Sequence, residues 1–433
     1  MRQTVEELDL HDMKVIGTGI GFRVCRGDGC GIIGGWNRPG CFGAIRGICD
    51  GGKLKTCGFC SSNSTILVGY GIMTSLKPDE CVQKVLLSTR SRLVGEYNQA
   101  DDPALLVTHA WLRGPEMSRM LANSAFSQSF YVASFRTEPV PDDHPSIVLP
   151  DYSYFGEFLA VHLSILYGKH FQSHGLLESS GYFRVPEKLD LGPTSLFSLS
   201  PFNHAARLCV PTELNLCEIS RIRPVLDASM TESGPGRILF TAGRFYNRAL
   251  CEMEELPELA YLDLVTCGEI ISGGCEVAND RLYDDDLKEL LLRVERGSPD
   301  GSELARMIRG RLYQVRRRFA AALSGLLDEY FFAHPESKYP PAVLRQGEID
   351  GILKAAYDLR SRYVHTGVQF GAWVRPHTHL QEEIMLGAPV MDDNELKKIL
   401  VKAPSLCGME RIMRYCLLKI AKEAGATVAD LCS

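Results

Sequence analysis

Tyr357-Asp358-Leu359-Arg360-Ser361-Arg362-Tyr363-Val364-His365-Thr366-Gly367 is the stretch on which the reading of this chain turns. Across and before it, Ile349, Ile352, Ala356, Leu359 and Tyr363 recur at three- and four-residue steps, the spacing of one buried helix face. Gly367 stands where a left-handed cap would end that helix. Near this end Arg360 and His365 are separated by four residues. A histidine titrates near neutrality and can give or take a proton, while a guanidinium holds two phosphate oxygens at once. The chain has no Gly-flanked nucleophilic serine, no Walker loop and no zinc-protease His-Glu pair, so this segment is its strongest chemical candidate.

The surroundings are helical as well. Leu259, Leu262, Val265 and Ile270 keep helical spacing, with Pro257 placed for a first turn. Leu304, Ile308, Leu312, Val315, Phe319, Leu323 and Leu326 form one long stripe, and Met409, Ile412, Cys416 and Ile420 form another that ends at Gly425. Four or five amphipathic helices with short links predict a bundle over residues 236–433. Upstream, Ser233, Gly234, Pro235 and Gly236 read as a linker between Thr231 and Arg237. Residues 61–235 read as mixed α/β. There Thr65–Tyr70, Phe130–Phe135 and Ser146–Leu149 are expected as strands, and Pro78–Glu96 and Phe155–Tyr167 as helices. Residues 1–60 are dense in Gly and Cys. The expected class is α+β, with these three parts in order.

The Arg–His helix, in this order of elements, resembles the R-x(4–6)-H signature of the HEPN superfamily. Phe245-Tyr246, the helical run to Ile271, Phe319 to Phe332, the Arg–His helix and a closing helix are together similar to its Apea-like branch. The resemblance covers roughly residues 237–425. It implies a metal-independent endoribonuclease with Arg360 and His365 as the catalytic pair, working in bacterial defence or growth control. It also implies a homodimer or higher oligomer, in which two Arg–His helices line one cleft. Residues 61–235 would then be the regulatory or sensor part. Ser361 departs from the Asn, Asp or His that often follows the arginine in nuclease members, and it favours the alternative of a non-catalytic module that binds RNA or a nucleotide.

The pair suits RNA cleavage without a metal. The ribose 2′-hydroxyl must lose a proton as it attacks phosphorus, and the leaving 5′-oxygen must gain one. The guanidinium offsets charge that grows on the phosphate. His365 lies by a helix C-terminus, whose dipole favours the imidazolium form. Five residues are about 140° on a helix, however, so the two side chains do not share a face. That a second copy completes the cleft is what the resemblance implies.

Further candidates flank the pair. One helix from Glu303 to Leu327 would carry Arg306, Arg309, Arg311, Arg316, Arg317 and Arg318, with no acid after Ala305. Arg309, Arg316 and Arg317, with Arg362, are the expected RNA contacts, although such a face can equally be neutralised by acids such as Asp284 to Asp286. Glu269, on the preceding helix, could orient Arg360 across the bundle, but a surface or structural ion pair is the expected account. Cys25, Cys30, Cys57 and Cys60 have the spacing of two thiolate pairs for a structural zinc, with Cys41 and Cys49 to spare. An iron–sulfur cluster and buried free thiols are the alternatives. A third overall reading therefore makes the chain a zinc-dependent interaction protein. His170 and His174, and His377 and His379 with Glu382 and Glu383 on an exposed loop, are lesser metal candidates. Gly17 to Gly21 is a Gly-rich turn without the flanking elements of a nucleotide site.

Bulk properties agree with a folded, multidomain protein. The 433 residues exceed one ordinary core, and 45% of them are hydrophobic against 23% charged. A net charge of -6 excludes a uniformly basic surface but not a local groove. No stretch approaches the roughly 20 apolar residues of a membrane span, and no signal peptide opens the chain, so a cytoplasmic location without membrane association is expected. There, 15 cysteines are expected as thiols or metal ligands, not disulfides.

Overall fold

Two units divide the chain, Met1–Gly71 and Ile72–Ser433, and the fold is α+β. The structure is a computed structural model. It describes residues 14–18, 21–26, 29–33, 81–91, 93–99, 105–110, 127–137, 152–179, 194–195, 214–228, 234–311, 314–375 and 381–428. In the first unit β1 (Lys14–Thr18), β2 (Gly21–Arg26) and β3 (Gly29–Ile33) form an antiparallel meander. Thr18 pairs with Gly21, so the Gly-rich segment makes a hairpin between β1 and β2.

In the second unit β4 (Cys81–Thr89), β5 (Leu93–Val94), β6 (Tyr97–Gln99), β7 (Leu105–His109) and β8 (Ser127–Thr137) precede helix α1 (Ser153–Tyr167). Strands β9 (Phe171–Ser179), β10 (Thr194–Ser195) and β11 (Leu214–Asn215) follow. The main sheet is antiparallel in the order β6-β7-β8-β4-β9, with β10 pairing β8, and β11 runs parallel to β5. Phe130–Phe135 lies in β8 and Phe155–Tyr167 in α1, as their patterns predict. Thr65–Tyr70 and Ser146–Leu149 fall outside the described residues.

Pro78–Glu96 is a correction: its core is strand β4, not a helix. The strand is central, flanked by β8 and β9, and both of its faces are covered. Val82, Val85 and Leu87 are buried, and so are Gln83, Lys84, Ser88 and Thr89. A strand buried on two sides loses the alternation that would distinguish it from a helix.

The helices then follow in order: α2 (Arg223–Ala228), α3 (Pro235–Glu252), α4 (Pro257–Gly274), α5 (Asn279–Leu282), α6 (Asp285–Gly297), α7 (Gly301–Arg311) and α8 (Val315–Leu326). After these come α9 (Glu329–Ala333), α10 (Ile349–Thr366), α11 (Gly371–Val374), α12 (Asn394–Lys402) and α13 (Leu406–Glu423). The expected linker already contains the first turn of α3, where Pro235 occupies the first helical position. Gly367 and Gly425 adopt left-handed conformations just past α10 and α13, as read from the sequence. No helix among the described residues is long and apolar enough to cross a membrane.

The long arginine helix is also corrected, since α7 and α8 are separate. They belong to different cores. Ala305 of α7 packs with Leu282, Tyr283 and Leu291 in a small satellite cluster, whereas Phe319, Ala320 and Leu323 of α8 enter the main core. That main core runs from Val85, Leu87 and Tyr131 of the sheet through α1 to Met409, Ile412 and Cys416 of α13. Gly268 of α4 lets α8 and α13 approach closely: a Cβ there would lie 2.6 Å from Phe319 and 3.1 Å from Met413.

Helix α1 is covered by the sheet on one side and the bundle on the other. Its His162 is fully buried, with Nδ1 2.7 Å from the Phe158 carbonyl and Nε2 without a partner. Burial pushes its pKa down to about 4, only partly countered by the Phe158 bond. An unfolded histidine titrates near 6.5, so the stability this group supports is full above that value and is lost as the pH falls towards 4. The loss should amount to roughly 3 kcal/mol. Urea denaturation at pH 7.5 and 4.5 should show wild type losing about that much more stability than His162→Phe; equal losses would contradict the assignment.

Candidate functional site

Helix α10 packs between α8, α4 and α12, burying Ile352, Leu353, Ala356 and Leu359 and leaving its last turn at the surface. Arg360 reaches α4, where an Nη nitrogen lies 3.4 Å from Glu269 Oε2. The pair is partly shielded, with side-chain exposures of 28% and 24%. Tyr357, one turn earlier, also hydrogen-bonds Glu269; burial, then the nearby carboxylate, pushes the phenol pKa up. Glu269 therefore orients Arg360 across the bundle. The Arg360 Nε is buried without a hydrogen-bond partner, so part of the guanidinium's donor capacity is unused.

His365 is exposed in the last turn of α10, and no group among the described residues hydrogen-bonds its ring. Val364 and Val368 beside it are 51% and 42% exposed. The five-residue offset puts His365 about 7.5 Å further along the axis and about 140° around it from Arg360. The structure thus brings both to one end of one helix, the arginine turned to α4 and the histidine to solvent.

The expected RNA-contacting arginines are all engaged by acids. Arg309 pairs with Glu295 at 2.6 Å, Arg316 with Asp358 at 2.5 Å, Arg317 with Asp284 at 2.5 Å, and Arg362 with Asp393. Two of these acids have a second task. Asp284 and Asp393 are N-caps, each using Oδ1 for backbone N–H groups of α6 or α12 and Oδ2 for its arginine. The cap bonds first, and then the arginines, hold both carboxyls below the usual range. Arg318 turns to the carbonyls of Ser272 and Cys275 at the end of α4. A basic face written in the sequence is thus largely neutralised within the chain, although solvated pairs of this kind are weak, about 0–1 kcal/mol each.

Of the proposed zinc ligands, Cys25 and Cys30 stand opposite each other across β2 and β3. Cys57 and Cys60, with Cys41 and Cys49, lie outside the described residues, as do His377 and His379. No group of three or more His, Cys, Asp or Glu among the described residues is arranged to hold a metal. His170 and His174 do not share a helix: the first follows α1 and the second lies in β9, 2.7 Å from the Ser88 hydroxyl. Glu383 is not on an exposed loop either. It is 1% exposed, pairs with Arg411 at 3.0 Å, and accepts the N–H groups of Glu336 and Leu344.

Tyr357 and Asp358 stand inside the motif but join the site only through partners on α4 and α8, which periodicity does not reveal. Glu258 also escapes sequence reading. Its Oε1 accepts the backbone N–H groups of Phe370 and Gly371 just past the Arg–His helix. Comparison with family models, curated proteins and solved structures gives no match for this chain.

If the acids mask the arginines, Asp284→Ala and Asp393→Ala should raise affinity for single-stranded polyuridylate about threefold each at low salt. Arg317→Ala and Arg362→Ala should lower it less than about twofold. Filter binding across a salt series measures this, and losses of tenfold on removing either arginine would show that both already contact the polyanion.

Proposed function

We propose that the chain is a metal-independent endoribonuclease of HEPN type that cuts RNA in a cleft completed by a second copy. The observation that supports it most is the end of α10, where an exposed His365 with no partner among the described residues accompanies Arg360 with an unsatisfied Nε. In the proposed reaction the 2′-oxygen bonds to phosphorus while its proton passes to one imidazole. The bond from phosphorus to the 5′-oxygen breaks, and the leaving oxygen takes a proton from a water, whose hydroxide the imidazolium then neutralises. The products are a 2′,3′-cyclic phosphate and a 5′-hydroxyl. Arg360 exchanges its long contact with Glu269 for the phosphate, whose negative charge it offsets. The offset between Arg360 and His365 is the reason for two copies, because one helix presents only one of them to a given cleft. The wider setting we propose is cytoplasmic RNA cleavage in bacterial defence or growth control, with residues 61–235 as the regulatory part.

A second reading makes the same helix end a binding module for RNA or a nucleotide, without cleavage. Ser361 and the holding of Arg360 by Glu269 favour it. Induced expression separates the two. Wild type should fragment cellular RNA and arrest growth, and His365→Ala should lower cleavage by at least about 100-fold at matched protein levels. Glu269→Gln should leave cleavage within about threefold, because it frees Arg360 without removing it. Intact RNA with the wild type, together with binding that survives His365→Ala and fails with Arg360→Ala, would move the assignment to the binding module.

A further inference from the structure

The loop that leaves the Arg–His helix closes one side of a cavity of about 590 Å³, within the ordinary range for small-ligand sites. Phe370, Trp373, Met391 and Leu400 make it apolar, and Glu258 supplies the single charged group of its lining. The cavity is tied to the motif through rings: Phe370 meets Tyr363 of α10 edge-on at 5.6 Å and Tyr261 of α4 at 5.4 Å. Trp373 is partly buried and fixed by a bond from its Nε1 to the Leu400 carbonyl.

Glu258 is held firmly. Its Oε1 takes the Phe370 and Gly371 N–H groups at 3.2 and 2.8 Å, and a Cβ on Gly371 would lie 2.3 Å from Pro257 and 2.8 Å from either carboxylate oxygen. Glycine is needed there for the carboxylate to come so close. Among the described residues no basic side chain pairs with Glu258, and its Oε2 takes no hydrogen bond. The site therefore offers a preorganised anionic acceptor beside an aromatic wall, a few residues from His365.

We infer that this cavity is a base subsite that receives a guanine of single-stranded RNA, stacked on Trp373 and hydrogen-bonded to Glu258. The assignment to RNA rests on the ribonuclease reading, whereas the preference for guanine rests on the carboxylate. Guanine presents two adjacent donors, N1–H and the N2 amino group, which can converge on one oxygen. Adenine and cytosine set an acceptor nitrogen beside their amino group, and uracil flanks its only N–H with carbonyls, so each brings a lone pair against the carboxylate. Single-stranded RNA is commonly read in this way, by stacking on an aromatic and bonding along the pairing edge.

The full chain carrying His365→Ala, which prevents cutting, can be titrated with a uridine hexamer and with the same hexamer carrying one guanine. The readout is the tryptophan fluorescence change that disappears with Trp373→Phe, since Trp36 and Trp111 remain. The guanine-bearing strand should bind at least about tenfold more tightly, the loss expected for one charge-assisted bond. Glu258→Gln, which keeps the acceptor for the two backbone groups, should erase the preference. Ala388→Phe, which takes up cavity volume and adds no tryptophan to the readout, should weaken the guanine strand to the level of the uridine one. Equal binding of the two strands, or a preference indifferent to both substitutions, would overturn the subsite. So would binding of guanosine monophosphate without binding of the strand, which would mark a free-nucleotide site. A guanine preference in a protein whose wild type never cuts would keep the subsite and remove the nuclease reading. Cutting with no guanine at the sites would do the reverse.

Discussion

Helix α13 carries Glu410, Arg411 and Arg414 into the interior, and the second unit is assembled around satisfying them. Their exposures are 1%, 7% and 3%. Arg414 donates to the carbonyls of Ile165 and Leu166 at the end of α1. Arg411 pairs with Glu383, donates to the carbonyls of Phe331 and His334, and lies over the Phe331 ring at 3.8 Å. Glu410 accepts the hydroxyl of Tyr246 on α3. Ions taken so far out of water are tolerated only when their hydrogen bonds are nearly complete, and removing one partner of such a pair typically costs about 3–5 kcal/mol. The positions of α1, α3 and the segments around Phe331 and Glu383 are consequently tied to one helix. The core alone would specify those positions less sharply, since apolar packing has little direction.

This scaffold reaches the candidate site through Glu383, whose carboxylate also holds the backbone at Glu336 and Leu344 just before α10 begins. From there the helix runs to its open end with its register set by Ile352, Leu353, Ala356 and Leu359 in the core. Register decides which way each polar residue points: Tyr357 and Arg360 to Glu269, Asp358 to Arg316, Arg362 to Asp393, His365 to solvent. The histidine is the member of this set for which the described residues supply no partner. It is this open group, beside a set of closed ion pairs, that the proposed function uses.

The bundle helices that bury one face were legible from their spacing. α4 and α10 were read with their ends, because Pro257 and Gly367 mark them chemically. α13 was read from Met409, Ile412, Cys416 and Ile420, yet its buried Glu410, Arg411 and Arg414 occupy positions that an amphipathic pattern assigns to solvent. The helical pattern over β4 is misleading for a related reason, since burial of both faces removes the period-two signal. The division of the arginine stripe into α7 and α8 reflects two separate cores, which one continuous pattern cannot distinguish. At the site, the residue types of the Arg–His segment were visible. The partners of Arg360, Arg317, Arg309 and Arg362 are Glu269, Asp284, Glu295 and Asp393, far away in sequence or on other helices. Glu258 joins the site by bonding backbone groups more than 100 residues later, and no local pattern announces that.

The most direct test of the central claim uses purified full-length protein, an excess of chelator, and a single-stranded RNA whose cut position has been mapped. Cleavage should persist with the chelator, end in a 2′,3′-cyclic phosphate, and stop when the nucleotide before the cut carries a 2′-deoxy sugar or when His365 is replaced by alanine. Cleavage that survives the 2′-deoxy substitution, or that proceeds at the wild-type rate without His365, would contradict it.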